Sequence, residues 1–328
     1  MTKRLAEVAK KAGVSEATVS RVLNGRSGVS EATRASVLTA LDVLGYERPT
    51  KLRGERGRLV GLVLPELQNP IFPALAEVVT ASLAQRGFTP LLAARTIGGV
   101  PERDYIEMLL DHQVSGVVFA GGSYALAEAE HGHYRALTDR RMPVVMVNAG
   151  VADLGFPHIS TDDAVAVEQA YGHLRSLGHA RIGMVMGPED HVPSRRKLAA
   201  LEGKEFWVER TNFSMESARL AAAKLIDRGV TGMICASDVL ALGSIRAARR
   251  LGLDVPSDVS VVGFDDSALM TCTDPPLTTV RQPIEMMGQA AVDLLVNQIE
   301  GSGVEPDELL FEPELVVRGS TAPAPARG

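Results

Sequence analysis

The chain has 328 residues, 45% of them hydrophobic but only 4% aromatic, which suits two or three packed domains of an Ala/Val/Leu-rich α/β kind. Residues 1–58 hold twelve Lys and Arg against six Asp and Glu while the whole chain stands at −6, so a basic N-terminal segment precedes an acidic body. There is no apolar run of membrane-spanning length, Met1-Thr2-Lys3-Arg4 does not open a secretory signal, and Cys235 and Cys272 make neither a disulfide framework nor a zinc cluster; the expected location is the cytoplasm.

The first 46 residues predict three short helices. Leu5, Val8, Ala9 and Ala12 form the apolar face of the first, which carries Lys10 and Lys11. Gly13 can take the positive φ that ends a helix, and Ser15 is an N-cap candidate for an amide near Thr18. On the second helix Val19, Val22 and Leu23 face inward, which leaves Glu16, Ala17, Ser20, Arg21 and Asn24 outside. Ser30 caps a third helix with the face Ala35, Val37, Leu38, Leu41 and Leu44. Three short helices with Gly at the first turn form a helix-turn-helix pattern, whose second helix lies in the DNA major groove. Arg21 can pair bidentately with guanine, Glu16 can accept from cytosine N4, and Ala17 can touch a thymine methyl. Ser15, Thr18, Ser20, Asn24 and Thr33 are phosphate candidates. The alternative, a small bundle that only packs on a neighbour, has the local basic charge against it. Residues 47–58 are a polar, basic linker in which Leu52, between Lys51 and Arg53, is the lone large apolar residue. Its plain reading is a flexible tether with Leu52 touching the body.

From Leu59 onward short apolar strands alternate with amphipathic helices. Strands are expected at 59–64, 89–94, 116–120, 143–148, 158–161, 181–186, 232–235 and 259–263, with a final one near 309–317. Helices are expected at 73–85, 102–112, 163–177, 215–228, 238–251 and 284–299. Such alternation implies parallel sheet with crossover helices, and ligands bind such sheets at the C-terminal ends of the strands. One sheet of so many strands would be large, so two similar lobes are expected over 59–320. The tail 321–328 is Ala/Pro-rich and reads as disordered, without the leucine heptads of a coiled coil.

Catalysis finds no foothold: the chain has no Gly-rich phosphate loop, no H-E-x-x-H and no G-x-S-x-G. His131 and His133 with Glu128 and Glu130 form a His/carboxylate cluster, but i, i+2 spacing points the two rings apart, and a solvated loop is the better reading. No metal or cofactor is expected. A binding cleft is better supported. Asn69 and Phe72 follow the first strand, Asp162 and Asp163 open a helix, Ser237 and Asp238 follow another strand, and Asp265 the next. Carboxylates and amides bond hydroxyls in pairs and an aromatic ring covers the apolar face of a sugar, so the set suits a neutral polyhydroxy ligand. Each of these residues has a plainer alternative as a helix cap or loop residue.

The runs Arg4-Leu5-Ala6-Glu7-Val8-Ala9, Ala12-Gly13-Val14-Ser15, Thr18-Val19-Ser20-Arg21-Val22-Leu23-Asn24 and Val29-Ser30-Glu31-Ala32-Thr33-Arg34, followed by Leu44-Gly45-Tyr46, resemble the headpiece of LacI/GalR-family transcriptional regulators. Asn69-Pro70-Ile71-Phe72, Ala236-Ser237-Asp238 and the segments 143–148, 177–183, 255–266, 275–280 and 315–320 resemble the effector domain of the same family. The resemblance covers nearly the whole chain. It implies an all-α helix-turn-helix headpiece (1–46), a hinge (47–58) and an α/β periplasmic-binding-protein-like domain of two doubly wound parallel-sheet lobes, crossed near 159–161, 280–282 and 312–314. It further implies a homodimer on a pseudo-palindromic operator in double-stranded DNA, and a small-molecule effector, a carbohydrate or related polyol, between the lobes. By the same resemblance Leu52 is the minor-groove leucine, Phe72 and Phe213 are stacking residues and Asp265 is the hydroxyl-binding acid. Ser237 stands where an Asn is usual, and Lys197, with Arg196 beside it, stands where an Arg is usual.

Two departures bear on this. The linker is shorter than the usual hinge and contains Gly54 and Gly57, which are poor helix formers. Beside Trp207, the segment 201–209 is shorter than the family pattern. The expected function is a sequence-specific DNA-binding regulator, a repressor, whose affinity is set by a ligand closing the lobes. The rival is a small-molecule carrier or sugar-modifying protein with an accessory DNA-binding domain; the missing secretory signal weighs against the carrier and the missing catalytic constellation against the enzyme.

Overall fold

The computed structural model describes residues 2–23, 28–44, 58–95, 98–303, 305 and 307–326. The chain divides into two compact units, Met1–Arg58 and Leu59–Gly328. In the first, helices α1 (Thr2–Ala12), α2 (Glu16–Leu23) and α3 (Glu31–Val43) follow the apolar periodicity. Their core is Val8, Ala9, Val19, Val22, Val37, Ala40 and Leu41. Burying Val19 and Val22 stabilises the unit by roughly 1.5–3 kcal/mol each, far more than the propensity of an eight-residue helix can supply. Gly13 has φ +68°, and the Ser15 hydroxyl accepts the Thr18 amide at 3.1 Å, so turn and cap are formed as expected. Ala35 is exposed and Ala40 takes its place on the inner face of α3, because the periodicity continues from Val37 rather than Ala35.

The second unit contains two six-stranded sheets. Its elements are β1 (Arg58–Leu64), α4 (Ile71–Gln85), β2 (Phe88–Ala94), α5 (Glu102–Asp111), β3 (Gly116–Phe119), α6 (Arg135–Asp139), β4 (Val144–Val147), β5 (His158–Thr161), α7 (Asp163–Ser176), β6 (Ile182–Met186), α8 (Val192–Ala200), β7 (Trp207–Arg210), α9 (Met215–Asp227), β8 (Gly232–Cys235), α10 (Asp238–Arg250), β9 (Ser260–Asp265), β10 (Thr278–Arg281), α11 (Ile284–Ile299), β11 (Glu308–Phe311) and β12 (Glu314–Val316). The sheet orders are β11-β5-β4-β3-β1-β2 in the first lobe and β12-β10-β9-β8-β6-β7 in the second. Central pairings are parallel, as between β1 and β3 or β8 and β9, whereas β12 runs antiparallel to β10. The chain passes between the sheets after β5, after β10 and between β11 and β12.

Two strands were not anticipated, β7 and β10, and the expected strand near 309–317 is two strands in different sheets, broken at Glu312-Pro313. The tail is also a correction. Thr321–Ala326 is held against the second lobe: the Ala322 carbonyl accepts from His179 Nε2 at 3.1 Å and from the Ser260 hydroxyl at 3.2 Å, and the Ala324 amide donates to the Leu177 carbonyl at 2.8 Å. Pro removes backbone donors, but the amides of Ala322 and Ala324 find partners in Ser260 and Leu177. Among the described residues no helix is long and apolar enough to cross a membrane.

Each lobe keeps its own apolar core. Val60, Leu62, Leu64, Val118 and Val145 line one face of the first sheet, and Ile182, Met184, Ile234, Val261 and Val262 are buried in the second lobe. In the second lobe α9 and α10 touch backbone to side chain: a Cβ on Gly243 would lie 2.4 Å from the Met215 carbonyl oxygen. Gly243→Ala gains about 1 kcal/mol of helix propensity but costs about 1–3 kcal/mol of overpacking against a carbonyl that moves only with the whole of α9. Urea unfolding is expected to show a net loss of stability, and an unchanged or raised midpoint would mean that α9 yields freely.

Candidate functional site

Two surfaces gather the candidate residues. In the N-terminal unit Glu16, Ala17 and Arg21 are exposed on α2, opposite buried Val19 and Val22, which gives the helix an outward face fit for base edges. Ser15 spends its hydroxyl on Thr18, through the amide and a 2.9 Å contact to Thr18 Oγ1, and Thr33 is joined to Ser30 in the same way at 2.9 Å. These are caps that set helix starts, and Thr18 and Ser20 sit half-buried beside them. Asn24 and Leu52 lie outside the described residues.

In the second unit the strand ends of the two lobes face each other. Asn69, buried after β1, donates from Nδ2 to Asp265 Oδ2 at 3.0 Å, and Asp265 is the last residue of β9 in the other lobe. The second oxygen, Oδ1, accepts from Gln282 Nε2 at 2.7 Å, and Gln282 Oε1 accepts from the Thr161 hydroxyl at 2.8 Å. Thr161 and Gln282 stand at two of the chain crossings. Burial lifts the Asp265 carboxyl well above the usual carboxylate range, and nearby Asp238 adds to this, while the two amide donors pull it back. Asp238 is fully buried at the start of α10. Its carboxylate takes the Ser267 amide at 2.8 Å, the Ser267 hydroxyl at 3.0 Å and the Thr279 hydroxyl at 2.6 Å, and burial pushes it up to about 6.

The other predicted residues are placed as follows. Asp162 caps α7, accepting from the amides of Ala164 and Val165. The inward carboxylate is its neighbour Asp163, which pairs with Lys197, and Lys197 Nζ also lies 3.9 Å from the centre of the Phe264 ring. Burial raises the Asp163 carboxyl against the pull of Lys197. Arg196 points elsewhere: it forms a two-pronged pair with Glu308 of the first lobe at 2.6 and 3.2 Å. His158 Nε2 sits 3.5 Å from the same carboxylate and, with Arg196, holds Glu308 down at about 2. Ser237 caps α10 through the Leu240 amide. Phe213 packs edge-on against His191, with ring centroids 4.9 Å apart, and Phe72 is half-buried in the first turn of α4; no described contact joins Phe72 to Phe213.

Sequence reasoning missed Gln282, Thr161 and His191. Gln282 alone carried a signal, a polar residue directly before Pro283 at a crossing. His191 caps α8 and forms an isolated bridge with Leu126 of the first lobe, and next to it the Ala127 amide donates to the Asp190 carbonyl at 2.9 Å. The His131/His133 segment is no solvated loop. His133 meets Glu102 at 3.6 Å and Ser123 at 3.3 Å, and His131 Nε2 faces two carbonyls at 3.1 Å. Burial raises the Glu102 carboxyl, but bonds from His133, Tyr134 and the Ser123 amide prevail and hold it low.

Against known proteins, residues 4–49 match the family model described as bacterial regulatory proteins, lacI family, and residues 171–321 match that of a periplasmic binding protein-like domain. The HTH-type transcriptional regulator MalR of Streptomyces coelicolor is 51% identical over 99% of this chain and 98% of its own length. Among solved structures, the transcriptional regulator CelR in complex with cellobiose aligns at TM-score 0.70 and 33% identity, covering 96% of this chain and 99% of that one. A Lac repressor dimer bound to operator and the anti-inducer ONPF aligns at TM-score 0.70 and 28% identity, covering 96% and 98%.

His191 offers a test of this geometry. Burial, with Lys197 and Arg210 nearby, drives its ring down to about 3, so it is neutral in the folded chain. A histidine depressed in the folded state adds stability above its unfolded value of about 6.5 and loses it as pH falls. Asn keeps the cap without the titration. Between pH 6.5 and 4 the wild type is expected to lose on the order of 3 kcal/mol more than His191→Asn in urea unfolding. Parallel losses in the two proteins would mean that His191 does not carry the dependence.

Proposed function

Because the chain belongs to the LacI family of bacterial transcriptional regulators, we propose that it represses transcription as a cytoplasmic homodimer on a pseudo-palindromic operator, and that a neutral sugar held at Asp265 releases it. The regulator itself binds DNA through the basic N-terminal unit. We assign residues 1–46 to the headpiece, 47–58 to a hinge carrying Leu52 and 59–320 to the effector and dimerisation domain, with Thr321–Ala326 as its bound extension.

The observation that carries the effector reading is the Asn69–Asp265–Gln282 set. Two amides and a carboxylate, buried at strand ends and drawn from both lobes, suit the paired hydroxyls of a sugar ring, and a ligand hydroxyl would replace the direct Asn69–Asp265 bond. CelR was solved with cellobiose, which favours the same ligand class here. Phe213 lies in the second lobe with an edge-on partner, which supports a stacking role there.

The experiment is a selection of DNA sites from a random duplex pool by the full-length chain, followed by titration with D-glucose, maltose, cellobiose and lactose. Arg21→Ala is expected to cost about 1–3 kcal/mol on the selected site and to relax preference at one base position per half-site, because its exposed guanidinium reads a guanine. Equal loss on selected and random DNA would reduce Arg21 to a phosphate contact. Asp265→Ala is expected to weaken binding of the active sugar by about 10- to 100-fold in calorimetry, the worth of two hydrogen bonds lost from a buried acceptor. Retention of sugar affinity in that variant, or silence of the wild type toward the whole panel, would overturn the effector assignment.

A further inference from the structure

Asp265 is followed by a second carboxylate, and the two residues share a costly backbone. Their φ angles are +125° and +58°, a left-handed pair that side chains other than glycine rarely adopt. Such a conformation persists only where surrounding contacts fix it, and the contacts that fix Asp266 lead away from the ligand residues. Asp266 Oδ2 accepts from Arg281 Nε at 2.8 Å and Oδ1 from Arg318 Nη2 at 2.6 Å, with the Asp266 side chain only 6% exposed. Arg281 ends β10, one residue before the second crossing, and its Nη1 donates to Glu314 at 2.9 Å. Glu314 opens β12 immediately after the third crossing and lies opposite Arg281 in the ladder. Asp265 for its part reaches Gln282 in the second crossing and, through it, Thr161 at the first. Two adjacent carboxylates therefore hold all three crossings between the lobes.

We propose that Asp266 is the positioning residue that transmits occupancy of Asp265 to the crossings; this rests on Asp265 being the effector acid. The two side chains hang from one peptide unit. A ligand that displaces Asn69 and shifts the Asp265 carboxylate turns that peptide, and the movement is passed to Arg281 and Arg318 because the buried Asp266 carboxylate is fixed at both oxygens. Loss of the Asp266 charge uncouples ligand from crossings without removing any ligand contact. A cluster that merely staples β9, β10 and β12 together would lack this long-range reach.

The test uses the full-length chain, Asp266→Asn, and Arg281→Gln, whose half-exposed side chain leaves Arg318 on Asp266. Native-state hydrogen exchange without ligand reads the amide of Asp162, which donates to the Phe311 carbonyl at 2.8 Å at the first crossing, and the amide of Gln282. Both are expected to exchange at least about tenfold faster in the two variants, with core amides of Val118 and Met184 unchanged. An unchanged Asp162 amide, or equal acceleration at Val118 and Met184, would overturn the proposal in favour of a staple. In the second arm cellobiose and maltose are titrated against protein on the selected DNA. Asp266→Asn is expected to keep the sugar Kd within about threefold while the sugar-induced change in DNA affinity shrinks about tenfold or more. A proportionate loss of both would show that Asp266 serves binding alone. Failure of both sugars to bind the wild type would instead refute the sugar assignment, and the exchange result then decides the role of Asp266 by itself.

Discussion

A carboxylate can be buried between two lobes only if donors meet both of its oxygens, and at Asp265 one donor comes from the first lobe and the other from a chain crossing. That requirement orders much of the second unit. β9 must run fully buried to its last residue to deliver the acid, and its neighbours β8 and β10 supply the parallel pairing that keeps it rigid. Asp238 then completes the support: it secures Ser267 and Thr279 on either side of the strand end, and a side chain on Gly263 would collide with it at 2.5 Å. Burial raises both carboxyls and Asp238 lifts Asp265 further, so polar satisfaction at both is a condition of the fold as well as of any binding.

The regular elements were legible where apolar runs or helical periodicity were long. β1, β6 and β9 were legible as the apolar runs 59–64, 181–186 and 259–263, and α2 was legible because Val19, Val22 and Leu23 admit one inward face. β10 was hidden by its composition. Thr278 and Thr279 look solvated, yet both are buried, because Ser320 and Asp238 satisfy their polar groups across sequence separations no local pattern reveals. The tail misled for the same reason: its partners are His179, Ser260 and Leu177. Glu102 was invisible as a site residue since nothing near it in sequence announces Tyr134 or His133.

Arg196 and Lys197 show why adjacency misleads on a helix. Successive residues are rotated by about 100°, so the two cations of α8 cannot serve one purpose. Lys197 turns into the second lobe, where the compact ammonium fits between Asp163 and the Phe264 face. Arg196 reaches outward, and its planar fork matches both oxygens of Glu308 across the lobe boundary. The sequence placed both near a ligand. In the structure one orders the wall of the second lobe and the other joins the lobes beside a groove of about 420 Å³ lined by Asp162, Asp163, Arg196 and Glu308.

The contacts that join the lobes differ in kind from those that build them. Each lobe is built on buried apolar clusters, and half-buried Val192 of the second lobe packs on the first lobe's core. Across the boundary stand Asn69 on Asp265, Ala127 on Asp190, and Arg196 on Glu308. A neutral hydrogen bond contributes about 0.5–1.5 kcal/mol net, and a partly exposed ion pair contributes less than its short distances suggest. Three such contacts total a few kcal/mol. Driving a two-state equilibrium from one extreme to the other takes about 5.5 kcal/mol of differential affinity, so a sugar making several hydroxyl bonds across the boundary acts on the same scale as the seam itself. An apolar seam of equal area would have held the lobes too firmly for a small ligand to shift them.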